Sequence, residues 1–436
     1  MLLIGRRALE ILFCGVEHLK LRVASVLRTV LAIAGLAQVV VAVQAQDTPS
    51  SYVGTLSLET VRARHARGGL PHATSAIDFY KVRYPSTDVK GLPTMLTGLV
   101  LIPKGGAPKG LVVYFHGTMG DRHFSPSRFT GWGTNGEVEW VALAFAAGGY
   151  EVAMPDYLGL GDSPGVHPYP DGDINSRSGI DMIEPARDVA ARAGAPAGPG
   201  LYITGYSEGG AVAMWAVRHL EQDVREGFRP TLAAPMSGPY DLSGATARSI
   251  LTDTNSLEDL AIRLYLLGYA GYSAASNFEG IQLDHYFVPS FASYAPFVFG
   301  QGLSDERTAE KLLLKGVQVG ALQSVRRVLG RKFQQALAAS DLSDPFIAEL
   351  AKNDCYDWTP HTPMLLVYLT TDTVVVPANT EEAVDAMRHH LADESLVRAF
   401  PIVNPRLDHI SAVPTALLAA RRFFDLGFEG VIGGSN

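Results

Sequence analysis

The sequence predicts an α/β fold: a mostly parallel central sheet flanked by helices, with a large helical cap inserted before the strand that carries a candidate acid. Three observations point there. Short apolar runs rich in β-branched residues alternate with helix-like stretches, as parallel strands covered on both faces require. Residues 201–204 lead through Gly205-Tyr206-Ser207-Glu208-Gly209-Gly210 into the small and apolar residues 211–217, giving a strand, a Gly-x-Ser-x-Gly turn and a helix in succession. The alternation then lapses between about residues 244 and 358 and resumes at Pro363.

Length and composition bound the answer. The chain has 436 residues, 47% hydrophobic and 18% charged, with a formal charge of −8. That is enough apolar material for a large core, and an acidic balance argues against nucleic-acid binding, which needs a basic face. Arg22 and Arg28 precede an apolar stretch over residues 29–43, and small residues follow at Val43-Gln44-Ala45. A basic region, a short apolar core and a small-residue cut site read as an export signal over 1–45, too short in its apolar part for a stable membrane span. Its removal would take away Cys14 and leave Cys355 alone, so no intramolecular disulfide is expected. No Cys/His set has metal-ligand spacing.

From the mature start, residues 46–60 read as a poorly ordered leader. Residues 76–82 and 95–102 read as strands about a turn-rich segment, 85–93. Gly110-Leu111-Val112-Val113-Tyr114-Phe115 is a continuous apolar run suited to a buried parallel strand. It ends in His116-Gly117-Thr118, where the backbone N–H of Thr118 is placed to pair with that of Glu208 as an oxyanion hole; an ordinary turn is the plainer reading. His116 reads as a brace for this loop. A helix is expected over 137–147 and a strand over 150–154, followed by Pro155-Asp156-Tyr157-Leu158-Gly159-Leu160-Gly161-Asp162-Ser163 at the same sheet edge. There Asp156 and Tyr157 either hold the oxyanion loop or, for Asp156, cap their own turn. Residues 174–193 read as a helix that Pro185 must bend or begin.

After a strand over 231–236 come helical stretches at 256–265, 306–315 and 320–338. Among them lies an aromatic-rich segment with Tyr269, Tyr272, Phe278, Tyr286, Phe287, Phe291, Tyr294, Phe297 and Phe299. This reads as a cap, 244–358, over the carboxyl edge of the sheet where open α/β folds bind ligands. Its apolar side chains would line an acyl cavity, although most of these aromatics serve as the cap's own core. The sheet resumes over 363–369, with a helix at 378–389, a last strand at 396–402 and a last helix at 411–424. The core is therefore 46–243 together with 359–436.

The order Ser, Asp, His completes a nucleophilic set. Ser207 needs a base to take its proton as it attacks a carbonyl. His409, in the loop after the last strand, is placed for that task, and Asp372, at the end of the strand before it, to hold the other ring nitrogen. The rivals are worse placed: His361, Asp354 and Asp357 precede a strand, His389, His390, Glu381 and Glu382 lie on a helix, and His285 lies in the cap.

These motifs together resemble the α/β-hydrolase superfamily, and within it the bacterial secreted lipases and esterases. The resemblance rests on His116-Gly117-Thr118, the run from Pro155 to Ser163, Gly205-Tyr206-Ser207-x-Gly209-Gly210 and the large cap before the acid, and it spans nearly all of the mature chain. One departure stands out: relatives usually carry Asp-x-x-Val-Pro, whereas an extra valine gives Asp372-Thr373-Val374-Val375-Val376-Pro377 here. The resemblance implies a secreted or periplasmic serine hydrolase acting on small-molecule or lipid esters without metal or organic cofactor. Two other readings stay open. A serine peptidase on the same scaffold would need an acid for a free amine, which Glu208, Asp156 or Asp162 would have to supply. A non-catalytic binding protein would keep the fold alone.

Overall fold

Nine strands among the described residues form a single sheet. They are β1 (Ser50–Leu56), β2 (Ala76–Thr87), β3 (Pro93–Lys104), β4 (Gly110–Phe115), β5 (Glu151–Pro155), β6 (Gly200–Tyr206), β7 (Leu232–Met236), β8 (Met364–Leu369) and β9 (Val397–Ile402). Their spatial order is β1-β2-β3-β5-β4-β6-β7-β8-β9. The first three strands and the β3–β5 pair are antiparallel; every pair from β5 to β9 is parallel. The coordinates are a computed structural model and describe residues 49–68, 73–196, 198–223, 225–391 and 393–432. The expected export signal over 1–45 lies outside the described residues. The described residues from 50 onward make up one compact unit.

Alternation along β4 shows how the sheet is covered. Val112 and Tyr114 face one way, into a cluster with Val138 and Val141 of helix α2 (Gly136–Ala144) and Leu417, Ala420 and Phe423 of α10 (Val413–Leu426). Val113 and Phe115 face the other way, toward Met182 and Ile183 of α3 (Gly172–Arg192), Val212 and Ala213 of α4 (Glu208–Gln222), and Val384 and Met387 of α9 (Ala378–His389). A strand buried on both faces must be apolar at every position, and all six residues of β4 are buried.

Between β7 and β8 the chain is helical. Its longer pieces are α5 (Leu257–Asn277), α6 (Asp305–Gln318), α7 (Arg331–Ala339) and α8 (Pro345–Lys352). They enclose a third apolar cluster in which Tyr286, Phe287, Phe291, Phe333 and Phe346 are buried.

Several expectations need correction. Residues 50–56 are not a leader but the antiparallel edge strand β1, and α1 (Leu58–Gly68) follows. Every side chain of β1 is at least partly exposed, so the segment lacks the apolar run that marks an inner strand. Of the two places left open for Pro185, it takes the interior of α3, not the first turn. The expected helix over 320–338 is a short 3₁₀ turn, Val325–Val328, followed by α7; Gly330, which caps α7 in an extended conformation, separates them. No helix of the described residues is long and apolar enough to cross a membrane.

Candidate active site

Parallel register brings the carboxyl ends of β4, β6 and β8 to one rim. Phe115 pairs with Gly205, Tyr206 with Met236, and Met236 with Val367. The loops that leave these strands carry His116–Thr118, Ser207 and Asp372, and His409 follows β9 at the same rim.

Ser207 sits between β6 and α4 with φ 59° and ψ −124°, a left-handed conformation that L residues adopt at a cost. The flanking glycines permit it. A Cβ on Gly205 would stand 2.2 Å from the carbonyl oxygen of Gly209, and one on Gly209 would stand 2.0 Å from that of Phe115. Alanine at either position forces the elbow apart.

The three residues expected to act together meet. His409 Nε2 lies 2.8 Å from Ser207 Oγ, and its Nδ1 lies 2.6 Å from Asp372 Oδ2. His409 is 5% exposed and Asp372 4%, so water competes little for these bonds. The Tyr206 hydroxyl donates to the His409 carbonyl at 2.6 Å, which ties the histidine loop to the nucleophile strand. The extra valine does not displace the acid. Asp372 Oδ1 accepts the N–H groups of Val374 and Val375 at 2.9 and 3.0 Å, so the longer loop grips one carboxylate oxygen and aims the other at His409.

Thr118 and Glu208 line the same cavity as Ser207. Among the described residues, neither backbone N–H donates to another group of the protein. The loop bearing Thr118 is held from several sides. Gly117 N donates to Glu137 Oε1 at 2.9 Å, and the Tyr114 hydroxyl donates to the same oxygen. Both ring nitrogens of His116 face carbonyl oxygens, of Gly117 and Asp156, so it braces the loop as expected. The Tyr157 hydroxyl donates to the His116 carbonyl at 2.9 Å. The Asp156 side chain does not hold this loop; it accepts Ser127 N and the Thr97 hydroxyl. Burial raises the affinity of Asp156 for a proton, against these bonds.

The acids a peptidase reading would require are all engaged. Asp156 is fully buried. Asp162 is paired with Lys81 and Arg128. Glu208 Oε1 lies 2.8 Å from His167 Nε2. Rival histidines are spent elsewhere: His390 bonds Asp357, and His389 bonds its own helix at the Asp385 carbonyl.

An apolar cavity of about 100 Å³ opens beside Ser207. The helical segment supplies its walls, notably Leu266, Leu267, Ala270, Phe333, Leu337 and Phe346. None of the nine aromatics singled out in the sequence lines it. Tyr286, Phe287 and Phe291 are buried in the segment's own core, and Phe297 is 60% exposed. Two contributors carried no sequence signal: Glu137, which fixes Gly117, and His167, which fixes Glu208. Each is a lone residue whose partner is distant in the chain.

No protein-family model matches the chain, and no curated protein matches it either. Solved structures do. A candidate hydrolase of Legionella pneumophila superimposes with a TM-score of 0.75 at 25% identity, over 89% of this chain and 99% of that one. The rice cell wall degrading esterase LipA from Xanthomonas oryzae gives 0.74 at 21% identity, over 88% and 98%. Candida antarctica lipase A gives 0.62 at 14% identity, over 88% and 82%. The sheet order, the strained serine at the β6–α4 turn and these likenesses converge: the chain has the α/β-hydrolase fold and resembles lipases and esterases built on it.

Proposed function

We propose that this protein is an exported serine hydrolase that cleaves carboxylic esters through an acyl-enzyme on Ser207. The observation that carries the reading is the unbroken line of hydrogen bonds from Ser207 Oγ through His409 to Asp372. In the first half-reaction His409 Nε2 takes the hydroxyl proton as Oγ adds to the ester carbonyl, and Asp372 stabilises the imidazolium. The N–H groups of Thr118 and Glu208 receive the carbonyl oxygen as it becomes negative. The proton then passes from His409 to the departing alcohol. Water repeats the sequence on the acyl-enzyme, which releases the acid and restores Ser207.

The segment over 244–358 serves as the cap, and its apolar wall beside Ser207 suits a hydrocarbon acyl group from a small-molecule or lipid ester. Every protein ligand in this scheme is a side chain or backbone N–H, with no metal or organic cofactor. Export to the periplasm or the exterior rests on the basic and apolar pattern over 1–45. Engagement of Asp156, Asp162 and Glu208 by internal partners weighs against recognition of a free amine. The test is a p-nitrophenyl ester series run against aminoacyl anilides, with fluorophosphonate labelling. Ester turnover and Ser207-dependent labelling are expected; a preference for anilides reverses the reading.

A further inference from the structure

Next to Ser207 the chain buries an acid where acid is chemically awkward. Glu208 is 3% exposed, lies one residue from the nucleophile and lends its backbone N–H to the proposed oxyanion hole. An unneutralised carboxylate there would oppose the negative charge that the reaction creates. His167 answers this. Its side chain is fully buried, and its Nε2 lies 2.8 Å from Glu208 Oε1. Its Nδ1 lies 3.0 Å from the Leu158 carbonyl oxygen, which can only accept, so Nδ1 carries a proton. A second proton must lie between Nε2 and Oε1, and wherever it sits along that line the pair is neutral overall. The other carboxyl oxygen, Glu208 Oε2, is buried without a partner. One bond, to His167, therefore orients this side chain.

The surroundings make the bond rigid. The His167 ring stacks on Tyr157 with centroids 5.4 Å apart and planes at 9°, and Tyr157 also holds the His116 carbonyl of the oxyanion loop. The rings of Tyr169 and Tyr269 flank it at 6.3 and 6.0 Å. The Ser273 hydroxyl, on cap helix α5, donates to the His167 carbonyl at 2.7 Å. The Ser207–Glu208 peptide is held at its carbonyl by Gly210 N at 2.8 Å. The Glu208 side chain holds its other end.

We infer that His167 is a positioning residue: through the Glu208 carboxyl it fixes the direction of the Glu208 N–H toward the reacting oxygen and keeps the acid electrically silent. The inference rests on the esterase reading. Complete loss of one oxyanion donor costs about 10²–10³ in kcat, and mispointing one costs less.

The experiment compares the unmodified chain with His167→Asn, His167→Gln, Glu208→Gln and Glu208→Met. Asparagine at 167 reaches only the Leu158 carbonyl, whereas glutamine reaches residue 208. Each protein is assayed for kcat and KM on p-nitrophenyl butyrate, for Tm and for fluorophosphonate labelling. His167→Asn is expected to lower kcat about tenfold to hundredfold with KM within about threefold. His167→Gln and Glu208→Gln are expected to recover most of that loss, and Glu208→Met is not. Should His167→Asn fail to fold, the contrast between Glu208→Gln and Glu208→Met decides. Equal kcat in the Asn and Gln variants at 167, or in the Gln and Met variants at 208, overturns the inference. An unmodified chain that neither turns over esters nor takes the label overturns the esterase reading itself.

Discussion

Two regions meet at Ser207, and they are built on different principles. The sheet rim is polar and fixed. His409, Asp372, Gly117 and Glu208 each have a named hydrogen-bond partner, and those partners come from three separate stretches of chain. The helical segment is apolar there and offers surface: Leu266, Leu267, Phe333 and Phe346 shape the cavity through contact alone. Directional bonds tolerate little displacement, whereas apolar walls can be reshaped at modest cost. Under the proposed function, reaction and selection fall to separable parts of one chain.

This contrast can be broken by experiment. Replacing rim residues should act on rate for every ester. Ser207→Ala is expected to lower kcat by about 10⁴-fold or more on short and long acyl chains alike, and Asp372→Asn by about 10³–10⁴. A chain-length-dependent loss in either variant contradicts the division. Gly209→Ala tests the elbow. Its new Cβ meets the Phe115 carbonyl oxygen, so Tm should drop and kcat should fall by about 10² or more together. Substitution in the apolar wall should do the opposite. Leu266→Trp fills space beside Ser207 and is expected to change the ratio of long-chain to short-chain kcat/KM by about tenfold, with far less effect on the shortest ester.

The smallest effect lies away from both regions. Glu151, at the amino end of β5, is fully buried with both carboxyl oxygens unpartnered. Burial pushes it up to about 8, with Arg187 pulling the other way. Because the folded value is raised, the folded state holds this proton more tightly. The associated stability is present below the unfolded value of a glutamate and is lost as pH rises through about 8. The unmodified protein should lose a few degrees of Tm between pH 6 and pH 9, and Glu151→Met should flatten that slope without changing kcat. A parallel slope in both proteins assigns the loss to another group.

How much of this was readable in the sequence follows the same division. Ser207, Asp372 and His409 were legible because each follows a strand whose apolar run marks it, so topology alone sends them to one rim. The core strands were legible for the same reason. Strand β1 was not, because an edge strand exposed along its length has no apolar run to show. The aromatics at 269–299 drew attention by composition, yet the cavity uses Leu266, Phe333 and Phe346 instead. Which face of a short helix meets a substrate is settled by tertiary packing, which periodicity does not encode. Glu137 and His167 were invisible because a buried pair across 20 or 41 positions leaves no local pattern. The loop lengthened by one valine after Asp372 stood out as a departure, yet its Val374 and Val375 N–H groups hold one oxygen of the acid and leave the other to His409.

Ser207 and His409 are 202 positions apart. During synthesis the Ser207 alcohol emerges from the ribosome long before the His409 imidazole that is proposed to take its proton. A nascent or truncated polypeptide ending before residue 409 lacks that proposed acceptor, and His409 lies between strand β9 and helix α10. Under the proposed function, chemical competence thus waits until the chain on both sides of residue 409 has joined the fold.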